Sequence, residues 1–354
     1  MMRQAFPSFL LGLSLVSTAL AAGPFPEGAV AKDYGKIGAG EGPAWWEGSL
    51  YFTDGEHVNR LDTKTGQTSV FMSKCGSPNG LYFDTEGRLI MCESNGRRLS
   101  RREKDGKITV LAGDYQGKRY NSPNDVSLDS HGRIYFTDPQ YGPRNDMQIR
   151  DAQGRPVEGV FRVDAPGQVT LVLALPDVDR PNGILISPDD KYMYICDNNN
   201  NVHGGSRKVL RFDLKADGTV NTASRKVIFD WKASRGPDGM KQDSEGRLYV
   251  LGGLNRANEY ENTEFKAGCY VLSPEGKLLQ FIPTGPDEAT NCAFGGEDFM
   301  TLYMTSGNHL WSIPLTTRGW KVNTVFLNKG TLLETNKNAF GIPLEIHFLD
   351  SPTK

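Results

Sequence analysis

Apolar and polar positions along this chain trade places on a two-residue rhythm in many short stretches. Gly159-Val160-Phe161-Arg162-Val163-Asp164 and Val209-Leu210-Arg211-Phe212-Asp213 each send alternate side chains to opposite faces, the pattern of strands covered on one side. Arg133-Ile134-Tyr135-Phe136-Thr137 is an aromatic and β-branched run of the same length class. Acidic turns precede such runs. Asp84-Thr85-Glu86-Gly87-Arg88, Asp129-Ser130-His131-Gly132-Arg133 and Asp243-Ser244-Glu245-Gly246-Arg247 share one form, in which Gly supplies the positive φ that a tight reversal needs.

Upstream of each turn stands a corner. Pro78-Asn79-Gly80, Pro123-Asn124-Asp125, Pro181-Asn182-Gly183 and Pro237-Asp238-Gly239 are the clear copies, and Glu41-Gly42-Pro43 and Asn291-Cys292-Ala293 are looser ones. Residues 41, 79, 124, 182, 238 and 291 are spaced 38 to 58 apart, and a strand-rich repeat of that length belongs to propeller blades. Six copies of four strands predict an all-β fold, a six-bladed β-propeller. Radial closure removes the exposed sheet edges such a chain would otherwise carry. Two packed sandwiches would not account for six comparable corners. Residues 29–34 are expected to add an outer strand to the last blade.

Composition sharpens this reading. Forty Gly and 20 Pro beside 13 Tyr and 17 Phe suit short strands and tight turns, and 38% hydrophobic residues suffice for a core. A formal charge of −2 offers none of the basic surplus of a nucleic-acid binder. Residues 1–22 carry Arg3, an apolar run and Ala19-Leu20-Ala21, the layout of a signal peptide. Residues 23–354 are then one exported domain, periplasmic in a Gram-negative host. No later stretch reaches the ~20 apolar residues of a membrane span. Cys75, Cys92, Cys196, Cys269 and Cys292 are odd in number and lack Cys-x-x-Cys spacing, so most read as buried strand residues.

Equivalent corners of a propeller face one axis. The ring reads Glu41, Asn79, Asn124, Asn182, Asp238 and Asn291, and every member offers a side-chain oxygen. Oxygen-only donors with two carboxylates suit a hard divalent cation such as Ca²⁺ or Mg²⁺. The plain alternative is that Asn and Asp after Pro only hydrogen-bond their own backbone. That alternative weakens at Glu41, since Glu has little turn preference, and keeps its force for Asn79 and Asn291.

These motifs, with Glu41-Gly42-Pro43-Ala44-Trp45, Pro123-Asn124-Asp125-Val126, Tyr135-Phe136-Thr137-Asp138-Pro139-Gln140-Tyr141-Gly142, Pro181-Asn182-Gly183-Ile184 and Pro237-Asp238-Gly239-Met240, resemble the SMP-30/gluconolactonase/luciferin-regenerating-enzyme family. The likeness runs from about residue 40 to 315 and is nearest to its bacterial gluconolactonase-like branch. It implies one divalent cation, Ca²⁺ foremost with Mg²⁺, Mn²⁺ or Zn²⁺ as alternatives. The implied ligands are Glu41, Asn182 and Asp238, with Asn124 as fourth ligand or substrate contact. Animal members carry Arg two positions before that Asn, where this chain has Ser122, so lactone recognition is expected to differ.

The implied reaction is hydrolysis of an aldonolactone, a small-molecule sugar lactone, to the free acid. Asp238 is the expected base, with hydroxide on the metal as the alternative. Other lactones or phosphotriesters on the same ring, or a non-catalytic sugar- or protein-binding propeller, are the competing readings. Tyr141, Trp45 and Trp46 are candidates to wall the pocket. His203, in the loop Asp197-Asn198-Asn199-Asn200-Asn201-Val202-His203-Gly204-Gly205, is a candidate substrate contact overhanging the mouth. The other histidines are scattered. There is no Gly-x-Ser-x-Gly elbow, and Pro43 breaks the one dinucleotide-like glycine run.

Overall fold

Strands alone make up the described secondary structure, and they fall into six four-stranded antiparallel sheets. The computed structural model describes residues 23–320 apart from Pro286. The signal-peptide reading of 1–22, His347 and the last part of the expected domain, 321–354, lie outside the described residues. Five sheets are consecutive, spanning 41–72, 78–112, 126–173, 181–230 and 237–283. The sixth combines Ala289–Gly295, Thr301–Ser306 and His309–Pro314 with Lys32–Lys36 from the start of the chain. Lys32 pairs with Ser312 and Asp33 with Trp311, so the N-terminal segment closes the ring as expected, a few residues later than residue 29. The fold is the six-bladed β-propeller.

The core is divided among the blades. Ala44, Tyr51 and Val58 of the first blade meet Leu81, Phe83 and Met91 of the second. Across the closure, Leu50, Phe52 and Leu61 meet Ala293, Tyr303 and Leu310. Fully burying an aromatic or aliphatic side chain contributes about 1.5–3 kcal/mol, and every interface between blades holds such a cluster. Four of the second strands are therefore buried along their whole length, as in Ser49–Thr53 and Leu248–Gly252, and the other two in all but their first residue. Alternation survives in third strands, where Arg162 and Arg211 stand partly exposed between buried neighbours. Trp45 stacks on Tyr303 and Trp46 on Phe83 across blade boundaries, which makes both packing residues.

The acidic turns are tied by their aspartates. Asp129 Oδ1 accepts the amides of His131 and Arg133, each at 3.0 Å, and Oδ2 accepts Arg133 Nε at 2.5 Å. Asp84 with Arg88 and Asp243 with Arg247 repeat the arrangement. All five cysteines are buried and free of disulfides, and Cys75 lies in a loop rather than a strand. Among the described residues no helix is long and apolar enough to cross a membrane.

Candidate functional site

Each corner is a β-bulge. Pro181 pairs with Asp197 and the next partners are Ile184 and Ile195, so Asn182 and Gly183 together oppose a single residue. The same offset follows Glu41, Pro78 and Pro237. In the third blade Asn124 donates to the Thr137 carbonyl, and the Thr137 amide donates to Asp125. A bulge bends its strand and re-aims a side chain. Here it turns the corner donors away from the blade faces and toward the axis.

Glycine then lets the blades converge. A Cβ on Gly183 would stand 2.2 Å from the Asp238 carbonyl oxygen, and one on Gly42, whose φ is +55°, would stand 2.1 Å from that of Asn79. Hydroxyls stitch neighbouring corners. Thr53 Oγ1 donates to the Asn79 carbonyl at 3.1 Å, Ser94 Oγ to Pro123 at 2.9 Å and Thr137 Oγ1 to Asn182 at 2.5 Å. Thr290 Oγ1 donates to Gly40 at 2.7 Å, across the seam where the ring closes.

The result is a cavity of about 320 Å³ at one mouth of the channel, lined by Glu41, Asn79, Asn124, Tyr141, Asn182 and Asp238 among others. That volume lies in the ~300–1,000 Å³ range of small-molecule sites. Tyr141 forms a wall: Asn182 Nδ2 donates to its hydroxyl at 3.0 Å, and the hydroxyl donates to the Asn198 carbonyl at 3.1 Å. Burial raises its pKa, and the charge of Asp238 adds to the rise. Asn291 is buried beside the site; its Oδ1 accepts the Cys292 amide, and its side chain supports Glu41.

Two carboxyls share this cavity under strain. Burial pushes Glu41 well above the ordinary carboxylate range and the charge of Asp238 pushes it further, against the Gly42 amide at 3.0 Å. Burial pushes Asp238 up to about 7, against the guanidinium of Arg235, whose Nη2 lies 3.5 Å from Asp238 Oδ2. Like charges brought together out of water hold a proton unless a cation offsets them. Asn79 Oδ1 is buried without a hydrogen-bond partner. Two carboxylates, amide oxygens and an unused oxygen form a donor set that fits a hard divalent cation. Among the described residues no three His, Cys, Asp or Glu side chains gather as a metal-holding group, so amides have to complete any such shell.

His203 is not among the residues lining this cavity. Its ring packs on Tyr260, 5.2 Å between centroids. Several lining residues escaped the sequence reading, among them the charged Asp54, Arg235 and Glu288. Arg235 and Glu288 stand three positions before their corner residues, Asp238 and Asn291 respectively. The same position in the other copies holds Gly38, Gly76, Asn121 and Asp179, so the repeat gives no common chemistry there to signal them.

Fold and site define a propeller with an oxygen-lined axial cavity of small-ligand size. Residues 39–308 match the model of the SMP-30/Gluconolactonase/LRE-like region, and the chain belongs to that family. It is 28% identical over 302 residues to a gluconolactonase of Zymomonas mobilis, covering 79% of each chain. It is 27% identical over 280 residues to a pentonolactonase of Haloferax volcanii, covering 75% of this chain and 81% of that one. The solved structure of a gluconolactonase from Xanthomonas campestris matches with a TM-score of 0.66 at 29% identity, covering 81% of this chain and 90% of that one.

Proposed function

We propose that the protein hydrolyses a sugar lactone to the free aldonic acid, with one divalent cation held by Glu41, Asn124, Asn182 and Asp238. The observation that carries this reading is the meeting of those four side chains, from four different blades, on one cavity. Its family relatives named gluconolactonase and pentonolactonase support the substrate class. A bound divalent cation supplies Lewis-acid polarisation of the lactone carbonyl.

The chain's own groups do the rest. Asp238 takes the proton of the attacking water and returns it to the ring oxygen as the ring C–O bond breaks. That role rests on position rather than on raised basicity, since a bound cation draws the carboxyl back toward the ordinary carboxylate range, and Arg235 Nη2 stands 3.5 Å from its Oδ2. Glu41 is held by the Gly42 amide and stays a fixed ligand. The Tyr141 proton is committed to the Asn198 carbonyl, so Tyr141 shapes the pocket rather than acting as an acid. Asn124 presents its amide to cation or substrate.

The test is acid release from glucono-1,5-lactone, followed with a pH indicator before and after EDTA, then with Ca²⁺, Mg²⁺, Mn²⁺ or Zn²⁺ restored. Rates at the spontaneous level under every condition would refute the reading. We further propose export of the mature chain, on the signal-like pattern of residues 1–22; N-terminal sequencing of protein recovered from the host's periplasm tests it.

A further inference from the structure

Arg235 and Glu288 occupy the same offset before the corners of adjacent blades, and this brings them side by side on the cavity wall. Arg235 Nη1 lies 3.6 Å from Glu288 Oε1 and Nη2 lies 3.5 Å from Asp238 Oδ2. A third carboxylate, Glu261, stands 4.0 Å away. These separations balance the guanidinium's charge but exceed the 2.7–3.2 Å of a good N–H···O bond. Its Nε is buried without an acceptor, although the group carries five N–H donors in a planar fork. Arg235 is therefore neutralised yet short of hydrogen-bond acceptors.

Glu288 complements it. Its carboxylate is 60% exposed at the mouth, and its backbone is held at φ +62°. Turn residues elsewhere in the chain, Glu47 and Asn308 among them, share this left-handed backbone, which here sets the turn that presents the side chain. The Gly307 amide donates to the Glu288 carbonyl at 3.1 Å and fixes this turn. The pair thus offers unspent donors beside a carboxylate acceptor, on the wall that also carries Asp238. Arg235 and Glu288 cancel in charge at 3.6 Å, so the pair by itself favours neither an anionic nor a cationic ligand. A neutral ligand with adjacent hydroxyls, each both donor and acceptor, matches it.

We propose that Arg235 and Glu288 are substrate-contact residues that select ring substrates bearing adjacent hydroxyls over plain lactones. This rests on the lactonase reading, and the experiment separates the two. Wild type, E288Q, E288A and R235K are compared on glucono-1,5-lactone and on unsubstituted δ-valerolactone, with thermal unfolding as the check on folding. The expected result is that the ratio of kcat/KM for the first substrate over the second falls at least about fivefold in the glutamate variants, as when a site loses a hydroxyl contact. A ratio within about twofold of wild type in folded E288Q and R235K overturns the inference and leaves the lactonase reading standing. If wild type turns over neither lactone, that reading fails instead. Titration with D-glucose, an unreactive cyclic polyol, followed by NMR, then decides the inference alone. Weaker binding by E288Q supports it, and equal or absent binding overturns it.

Discussion

Asp238 stands between opposing fields: burial with two neighbouring carboxylates on one side, Arg235 on the other. D238N keeps the shape and removes the base. The expected outcome is a kcat for lactone hydrolysis about 10²–10⁴-fold lower, with an unaltered far-UV spectrum and Tm near wild type. E41Q should instead weaken divalent-cation affinity in calorimetry. The same environment sets a pH dependence. Burial pushes both Asp238 and Asp138 up to about 7, above their value in an unfolded chain. Between the unfolded value and about 7 the folded state binds the extra proton, so stability of the cation-free protein rises as pH falls from 8 toward 5. The slope is at most about 1.4 kcal/mol per pH unit for each group. Urea unfolding at pH 8 and pH 6 in EDTA measures it; D138N should reduce the difference, and a saturating cation should remove the part due to Asp238. The corner donors were legible in the sequence because the repeat marks them. Arg235 and Glu288 were not, because opposite charges at one repeat position read as unrelated surface residues until the blades stand side by side.

At the scale of elements, the bulged corner is the working unit. Asn182 points to the axis because two residues oppose one there, and the fourth and fifth blades approach because position 183 has no side chain. Gly183→Ala would set a methyl 2.2 Å from the Asp238 carbonyl oxygen. The expected cost is about 1–3 kcal/mol in urea unfolding, with a loss of cation affinity as Asn182 and Asp238 are forced apart. Unchanged affinity in that variant would mean the corner tolerates displacement. The acidic turns at the opposite strand ends were readable from Asp-x-x-Gly-Arg, though only as reversals. That Asp129, Asp84 and Asp243 also grip the arginine four residues on depends on the turn closing first, and no local propensity announces it.

The whole molecule is held by six interfaces and one seam. The Lys32–Lys36 strand covers the outer edge of the sixth blade, so deleting residues 23–37 leaves His309–Pro314 as a bare edge. A Tm lower by on the order of 10 °C and concentration-dependent aggregation are expected, measured by scanning fluorimetry and light scattering. The chain by itself determined how many blades there are, where each begins and which side chains stand at each corner. Turn chemistry and strand periodicity are local properties, and six copies make them audible above single-residue noise. Tertiary structure alone decided that those corners share a cavity, that Trp45 and Trp46 belong to packing, that His203 turns to Tyr260, and that Arg235 meets Glu288. Each of these depends on distances between blades, which closure of the ring sets and which no stretch of neighbouring residues encodes.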